Sequence, residues 1–162
     1  MIEVIDADLS QAGHADIVVR LMDEYARDPM GGGKALPGHV RRNLVVELRK
    51  RETAHVIIGL VDGEAAGLAV CFEGFSTFAC RPLLNIHDVV VSARHRGKGV
   101  SRRMLERAEA IARELGCCKL TLEVLEGNTV AQAAYRAVGF AGYELDPTSG
   151  KALFWEKKLT AP

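Results

Sequence analysis

The residues of this chain best suited to chemistry cluster in its second half. Val91-Ser-Ala-Arg-His-Arg-Gly-Lys-Gly-Val-Ser-Arg-Arg-Met-Leu-Glu106 runs from an apolar stretch through a basic, glycine-containing loop into a segment of helical periodicity. The first N–H groups of a helix have no intrahelical partner, and the helix dipole favours negative charge there. Glycines let an anion approach the main chain closely, so this layout predicts a phosphate cradle and a nucleotide-bearing ligand. The alternative is a solvated basic turn leading into an ordinary capped helix. Just upstream, Asn85, His87 and Asp88 interrupt the otherwise apolar run Leu84 to Val91. His87, with an ordinary pKa near 6.5, can accept a proton at neutral pH directly or through water. Strand alternation puts Asp88 on the opposite face, where it anchors a loop or helix end. Glu73 and Glu123 are further candidate bases, each equally a solvated strand-end carboxylate.

These residues need a frame. Ile2 to Ile5 reads as a first strand, and Asp8 or Ser10 as the cap of a helix carrying Ile17, Val18, Leu21, Met22 and Tyr25 at helical spacing. Asp28-Pro-Met-Gly-Gly-Gly33 is a flexible break, and a second helix starts near Pro37. Ala54 to Val61 and Ala65 to Phe72 read as strands joined by Asp62-Gly63, a pair suited to a tight hairpin. Glu73 to Arg81 is expected to be a loop, and Leu84 to Val91 a strand. A helix from about Val100 to Leu115 stops before Gly116, Lys119 to Leu125 is another strand, and Asn128 caps a helix ended by Gly139. Two last strands, near Phe140 to Leu145 and Leu153 to Leu159, flank Asp146-Pro-Thr-Ser-Gly150. Hairpins followed by a strand, helix, strand, helix succession predict a mixed, mostly antiparallel sheet of six to seven strands with about four helices and a parallel or splayed pair at the phosphate loop.

Composition narrows the function classes. The 162 residues, 48% hydrophobic, suit one domain, 1–162. Lysine plus arginine equals aspartate plus glutamate at 21 each, so no global basic field points to nucleic acid and any anion recognition is local. The acidic start lacks the pattern of a signal peptide, and no apolar run approaches the ~20 residues of a membrane span, so a cytoplasmic protein without membrane partners is expected. Cys71, Cys80, Cys117 and Cys118 lack CxxC spacing; they are read as buried, reduced residues, and no metal is expected. A Rossmann fingerprint would follow the first strand of an alternating pattern, whereas Gly97-Lys-Gly99 comes late, after a hairpin. A Walker loop needs GxxxxGK followed by Ser or Thr, and Lys98 is not placed that way.

Arg96-Gly-Lys-Gly-Val-Ser101 resembles the Q/R-x-x-G-x-G/A signature of the GCN5-related N-acetyltransferase (GNAT) superfamily, with Ser101 in place of the usual last glycine or alanine. Ile86-His-Asp-Val-Val-Val91 resembles that family's fourth strand. Asn128-Thr-Val-Ala-Gln-Ala-Ala-Tyr-Arg-Ala-Val-Gly-Phe140 is similar to its N-x-x-A-x-x-x-Y-x-x-x-G-F segment, at the right distance downstream. Two motifs in order, within the expected run of elements, identify the chain as resembling this superfamily over roughly Ile2 to Leu159.

The resemblance implies a GNAT fold, α/β in class (α+β), with strands 4 and 5 splayed at the cleft for acetyl-coenzyme A. It implies an N-acetyltransferase acting on a primary amine of a small molecule or peptide by direct attack in a ternary complex. Backbone groups of Val89, Val90 and Val91 would hold the pantetheine arm and acetyl carbonyl, and the amides of Arg96, Gly97, Lys98, Gly99, Val100 and Ser101 the diphosphate. Arg94 and His95 would touch a phosphate, and Asn128 with Ala131 would meet the cofactor arm, Asn128 also being explicable as a cap alone. Tyr135 would protonate the departing sulfur, and His87 would be the base. Their alternatives are a core aromatic and a structural strand histidine. The loop Met30 to Gly33 and the stretch Phe75 to Phe78 fall where acceptor-binding segments would lie. A homodimer through the last strands is a further implication, for which Phe154 and Trp155 are suited, as they are equally for the core. The competing class is a noncatalytic acyl-CoA-binding or regulatory module on the same fold.

Overall fold

A computed structural model describes residues 1–159. Five strands form one sheet in the order β1-β2-β3-β4-β5: β1 (Ile2–Asp6), β2 (Ala54–Val61), β3 (Glu64–Ser76), β4 (Arg81–Val91) and β5 (Leu120–Leu122). All neighbours are antiparallel except β4 and β5, which run parallel. A parallel pair needs a crossover, and α3 (Val100–Glu114) supplies it. α1 (Ala12–Arg27) and α2 (Gly38–Arg49) cover the other face, and α4 (Thr129–Ala137) follows β5.

Each face has its own core. Val18 and Leu21 of α1 and Leu48 of α2 pack on Val56, Ile58, Leu68, Val70 and Val90. On the opposite face Val100, Met104, Leu105, Ala108, Ile111 and Ala112 of α3 pack on Ile57, Ala69, Cys71, Leu84 and Ile86, with Tyr135, Val138 and Phe140 at the margin. α3 lies unusually close to the sheet because Gly59 and Gly67 face it. A Cβ at either position would stand 2.8 to 2.9 Å from Val100 Cγ1 or Met104 Cε. That close seat fixes the start of α3, and with it the phosphate loop, against the strands.

Several expectations need correction. The sheet has five strands rather than six to seven, because the segments 140–145 and 153–159 form no ladder with β5. The first of them makes only an isolated bridge, Glu144 with Lys151, across a turn held by Asp146, whose carboxylate accepts from the N–H groups of Thr148 and Ser149. Phe154 and Trp155, offered to core or interface, are 73% and 82% exposed and outside the core. The stretch 73–81 is largely strand, since pairing continues from Glu73 with Leu84 to Ser76 with Arg81 and leaves a short turn at 77–80. β5 covers only three residues of the expected seven, placing Glu123 outside it. Neither Asp8 nor Ser10 caps α1: Gln11 holds the cap position, and Asp8 instead accepts from Ser10 and Gln11. Only Cys71 among the four free thiols is buried; Cys80 is exposed, at the turn. The Asp62-Gly63 hairpin, with φ of 51° and 80°, is as expected. Among the described residues no helix is long and apolar enough to cross a membrane.

Met104 is fully buried between α3 and the two glycines. Met104→Ala is expected to lower unfolding free energy by about 2–5 kcal/mol, read from urea denaturation, with no change in the m-value.

Candidate active site

The site begins where β4 loses a neighbour. Its parallel pairing with β5 covers Leu84 with Leu120, Asn85 with Thr121 and Ile86 with Leu122, then ends. Asn85 strengthens the middle of these pairs, its Nδ2 donating to Thr121 Oγ1 at 3.0 Å. Beyond Ile86, β4 continues to Val91 with one edge against β3 and the other unpaired. A strand edge in this state offers alternating N–H and C=O groups to an extended ligand.

A bulge sits at the same place. Val70 pairs with Asp88 and Cys71 with Ile86, so His87 is the extra residue of β4. Bulges re-aim side chains, and this one overturns the expectation from alternation. Asp88, opposite Val70, belongs to the α1 and α2 face, and His87 lies on that face too, its ring 5.6 Å from Phe72 in an edge contact. His87 is exposed, whereas Asp88 is half-buried and, among the described residues, has no hydrogen-bond partner for its carboxylate. Burial raises the Asp88 pKa above its ordinary 3.8, partly opposed by the nearby His87. Tyr25 of α1 approaches from above: burial raises its pKa, and the Asp88 and Asp28 charges raise it further.

Tyr135 of α4 stands near. Burial pushes its phenol above 10.0, with Tyr25 adding to the shift, so it is protonated at neutral pH. Its ring packs against Phe140 at 6.1 Å. α4 is positioned by Asn128, whose side chain accepts from Ala131 N–H at 3.1 Å, as the sequence predicts. Cys71, under the same region, is pushed up to about 12 by burial and then by Asp88, which leaves a thiol rather than a nucleophilic thiolate. Glu73, by contrast, is held by His55 Nε2 at 2.7 Å on the α3 face, away from His87, and Glu123 is exposed in the loop after β5.

The loop from Ser92 to Gly99 completes the cleft. Gly97 and Gly99 have φ of 76° and 87°, a conformation that side chains disfavour, and Gly99 occupies the cap position of α3. No side chain caps α3, as none caps α1 or α2. The N–H groups of Gly97, Lys98 and Gly99 make no backbone hydrogen bond among the described residues, and a Cβ added at Gly97 would meet nothing within 4 Å. Free amides over open space fit a diphosphate.

The loop's two arginines are already engaged. Arg94 Nη2 lies 2.7 Å from Glu64 Oε1, and Arg96 Nη2 donates to Asp28 Oδ2 at 2.7 Å while its Nε donates to Val91 O. His95 is only 5% exposed, lying 3.5 Å from Glu64 Oε2 and 3.4 Å from Lys98 Nζ with its Nε2 lacking a hydrogen bond. It supports the loop from inside, which differs from the expected phosphate contact. Val100 points its side chain into the core, so its contribution is the main chain; Ser101 is half-buried beside it. Arg102 and Arg103 pair with Glu106. Sequence reading missed Tyr25, Asp28, Glu64 and the role of Asp88. The polar doublet His87-Asp88 inside an apolar strand was the one local sign of the bulge.

Fold and cleft together set main-chain amides without backbone partners, among the described residues, at the end of an unpaired stretch of β4. The chain belongs to the acetyltransferase (GNAT) family, whose model matches residues 18–140 and whose members use acetyl-coenzyme A. It is 42% identical over 85 residues to a streptothricin acetyltransferase of Streptomyces lavendulae, covering 52% of this chain and 43% of that protein. It is 29% identical over 73 residues to a thialysine N-epsilon-acetyltransferase of Bos taurus, covering 45% and 42% respectively. The chain thus spans less than half the length of either relative. The fold matches that of AAC(6')-Iy in complex with the bisubstrate analogue CoA-S-monomethyl-acetylneamine, with TM-score 0.76, 16% identity and coverage of 98% and 99%.

Asp88 also sets a pH dependence. Its folded pKa exceeds its unfolded one, so the native state holds the proton more tightly and stability falls as pH rises from about 4 through the folded value. Asp88→Asn is therefore expected to raise the melting temperature relative to wild type at pH 7–8 and to give no gain at pH 3.5, checked by thermal melts across that range.

Proposed function

We propose that this chain is an acetyl-coenzyme A-dependent N-acetyltransferase that acetylates a primary amine of a small molecule or peptide by direct attack in a ternary complex. One observation carries the reading: the unpaired edge of β4, from His87 to Val91, leads from the free amides at Gly97 to Gly99 to the face holding His87 and Asp88, with Tyr135 nearby. The cofactor supplies an acetyl thioester to this edge. Backbone groups of Val89, Val90 and Val91 hold its arm, and the amides from Gly97 to Ser101 hold its diphosphate, with Asn128 Nδ2 free to meet the arm. Tyr135, kept protonated by burial, gives its phenolic proton to the sulfur as the thiolate leaves.

His87 takes the proton that a primary ammonium must lose before it attacks. Asp88 beside it, sheltered and unpaired, attracts a cationic acceptor, because an ammonium offsets the cost of burying the carboxylate. The thialysine N-epsilon-acetyltransferase resemblance supports an acceptor of this chemistry. The Cys71 thiol, pushed up to about 12, supports direct transfer over a covalent acyl-enzyme.

The test follows free thiol release from acetyl-coenzyme A with a panel of lysine analogues, polyamines, aminoglycosides, arylalkylamines and peptides. Turnover with a cationic amine is the expected result; cofactor binding without thiol release for every acceptor class would favour the noncatalytic module. Tyr135→Phe is expected to lower kcat by about 10²-fold, as loss of a general acid does, while calorimetric affinity for acetyl-coenzyme A stays unchanged. A fall in affinity with unaltered kcat would make Tyr135 a packing residue.

A further inference from the structure

The carboxylate of Asp28 belongs to two loops at once. Its Oδ2 accepts from Arg96 Nη2 in the phosphate loop at 2.7 Å, and its Oδ1 accepts from Met30 N–H at 2.9 Å, capping the short 3-10 turn Pro29–Gly31. Its main-chain carbonyl accepts from Gly31 and Gly33 N–H at 2.8 and 3.0 Å. One turn earlier on α1, Glu24 Oε1 accepts from Ala93 N–H at 3.2 Å, a second tie between α1 and the phosphate loop. Between these two carboxylates Tyr25 faces Asp88, and Gly31 lies so tightly on the Tyr25 carbonyl that any Cβ there would overlap it. The end of α1 therefore touches the diphosphate cradle on one side and the acceptor-facing residues on the other.

A diphosphate arriving at Gly97 to Gly99 brings negative charge next to a guanidinium that already serves a carboxylate. We infer that Asp28 competes with the diphosphate for Arg96, and that its release loosens the 28–33 segment over Tyr25, so that the acceptor side responds to coenzyme occupancy. Resting on the acetyl-coenzyme A reading above, this makes Asp28 a positioning residue acting through Arg96. Its charge opposes the cofactor even though its geometry shapes the site, which separates it from a purely structural role. A structural residue, when neutralised, weakens binding; a competitor, when neutralised, strengthens it.

The experiment measures coenzyme A and dephosphorylated pantetheine binding by calorimetry at one fixed ionic strength, in wild type, Asp28→Asn and Asp28→Glu. Asp28→Asn is expected to bind coenzyme A roughly two- to fivefold more tightly, the range set by a solvent-exposed ion pair, with pantetheine affinity unchanged and Asp28→Glu close to wild type. Hydrogen exchange at Met30, Gly31 and Gly33 is expected to quicken on coenzyme binding in wild type and to be fast and insensitive to coenzyme in Asp28→Asn. Equal or weaker coenzyme A binding by a folded Asp28→Asn, or exchange in wild type that coenzyme leaves unchanged or slows, overturns the inference while leaving the cofactor reading intact. Failure of wild type to bind coenzyme A overturns both.

Discussion

The cleft depends on the early end of the β4–β5 ladder. β4 keeps its antiparallel partner along its whole length, yet on the other side only three residues of β5 reach it. The crossover explains the arrangement. Gly59 and Gly67 let α3 press on the sheet, the chain then returns through Gly116 at φ 69°, and β5 joins β4 opposite Leu84 but leaves the ladder after Leu122, opposite Ile86. The half of β4 nearest the phosphate loop is thus left with an open edge. Such an edge is a liability in most folds; here it is short and begins with a bulge that bends it.

The electrostatics divide into two regimes. Around the loop, charge is balanced locally: Glu64 against Arg94, Asp28 against Arg96, within a chain of net charge zero. On the reading proposed above, anion recognition would fall to the main-chain amides and to Lys98, which has no carboxylate partner among the described residues. Deeper in, burial favours neutral forms, and Tyr135, Tyr25, Cys71 and Asp88 are all shifted upward by it. A site of this kind keeps a phenol and a thiol protonated. It also strengthens any hydrogen bond or ion pair made inside it.

What the sequence revealed was local. The glycine loop, α3, the Asn128 cap and the Asp62-Gly63 turn each follow from neighbouring residues, and each is present. What it hid was register and distance. Alternation assumes an unbroken ladder, so the bulge at His87 moved Asp88 to a face that period-two reasoning denied it. His95 was read as a phosphate contact because it flanks the glycine loop, whereas it is buried beside Glu64 of the neighbouring strand β3. Asp28 and Arg96 are separated by 68 positions, and nothing near either announces the other. The last strands were overread for the reverse reason: apolar segments flank a turn, but a ladder also needs a partner edge, and three residues of β5 offer little of one.

The bulge brings a cost and a function to the same atom. Turning Asp88 toward α1 places a half-buried carboxylate opposite Val70 and within reach of the Tyr25 phenol, where burial favours its neutral form. On the reading proposed above, an ammonium entering past the exposed His87 would meet this carboxylate, and the cost of sheltering it would become affinity for a cation. His87, the more exposed of the two, would then take the proton and Asp88 attract the charge. Without the extra residue in β4 the two would face opposite layers, and neither could serve an acceptor held by the other.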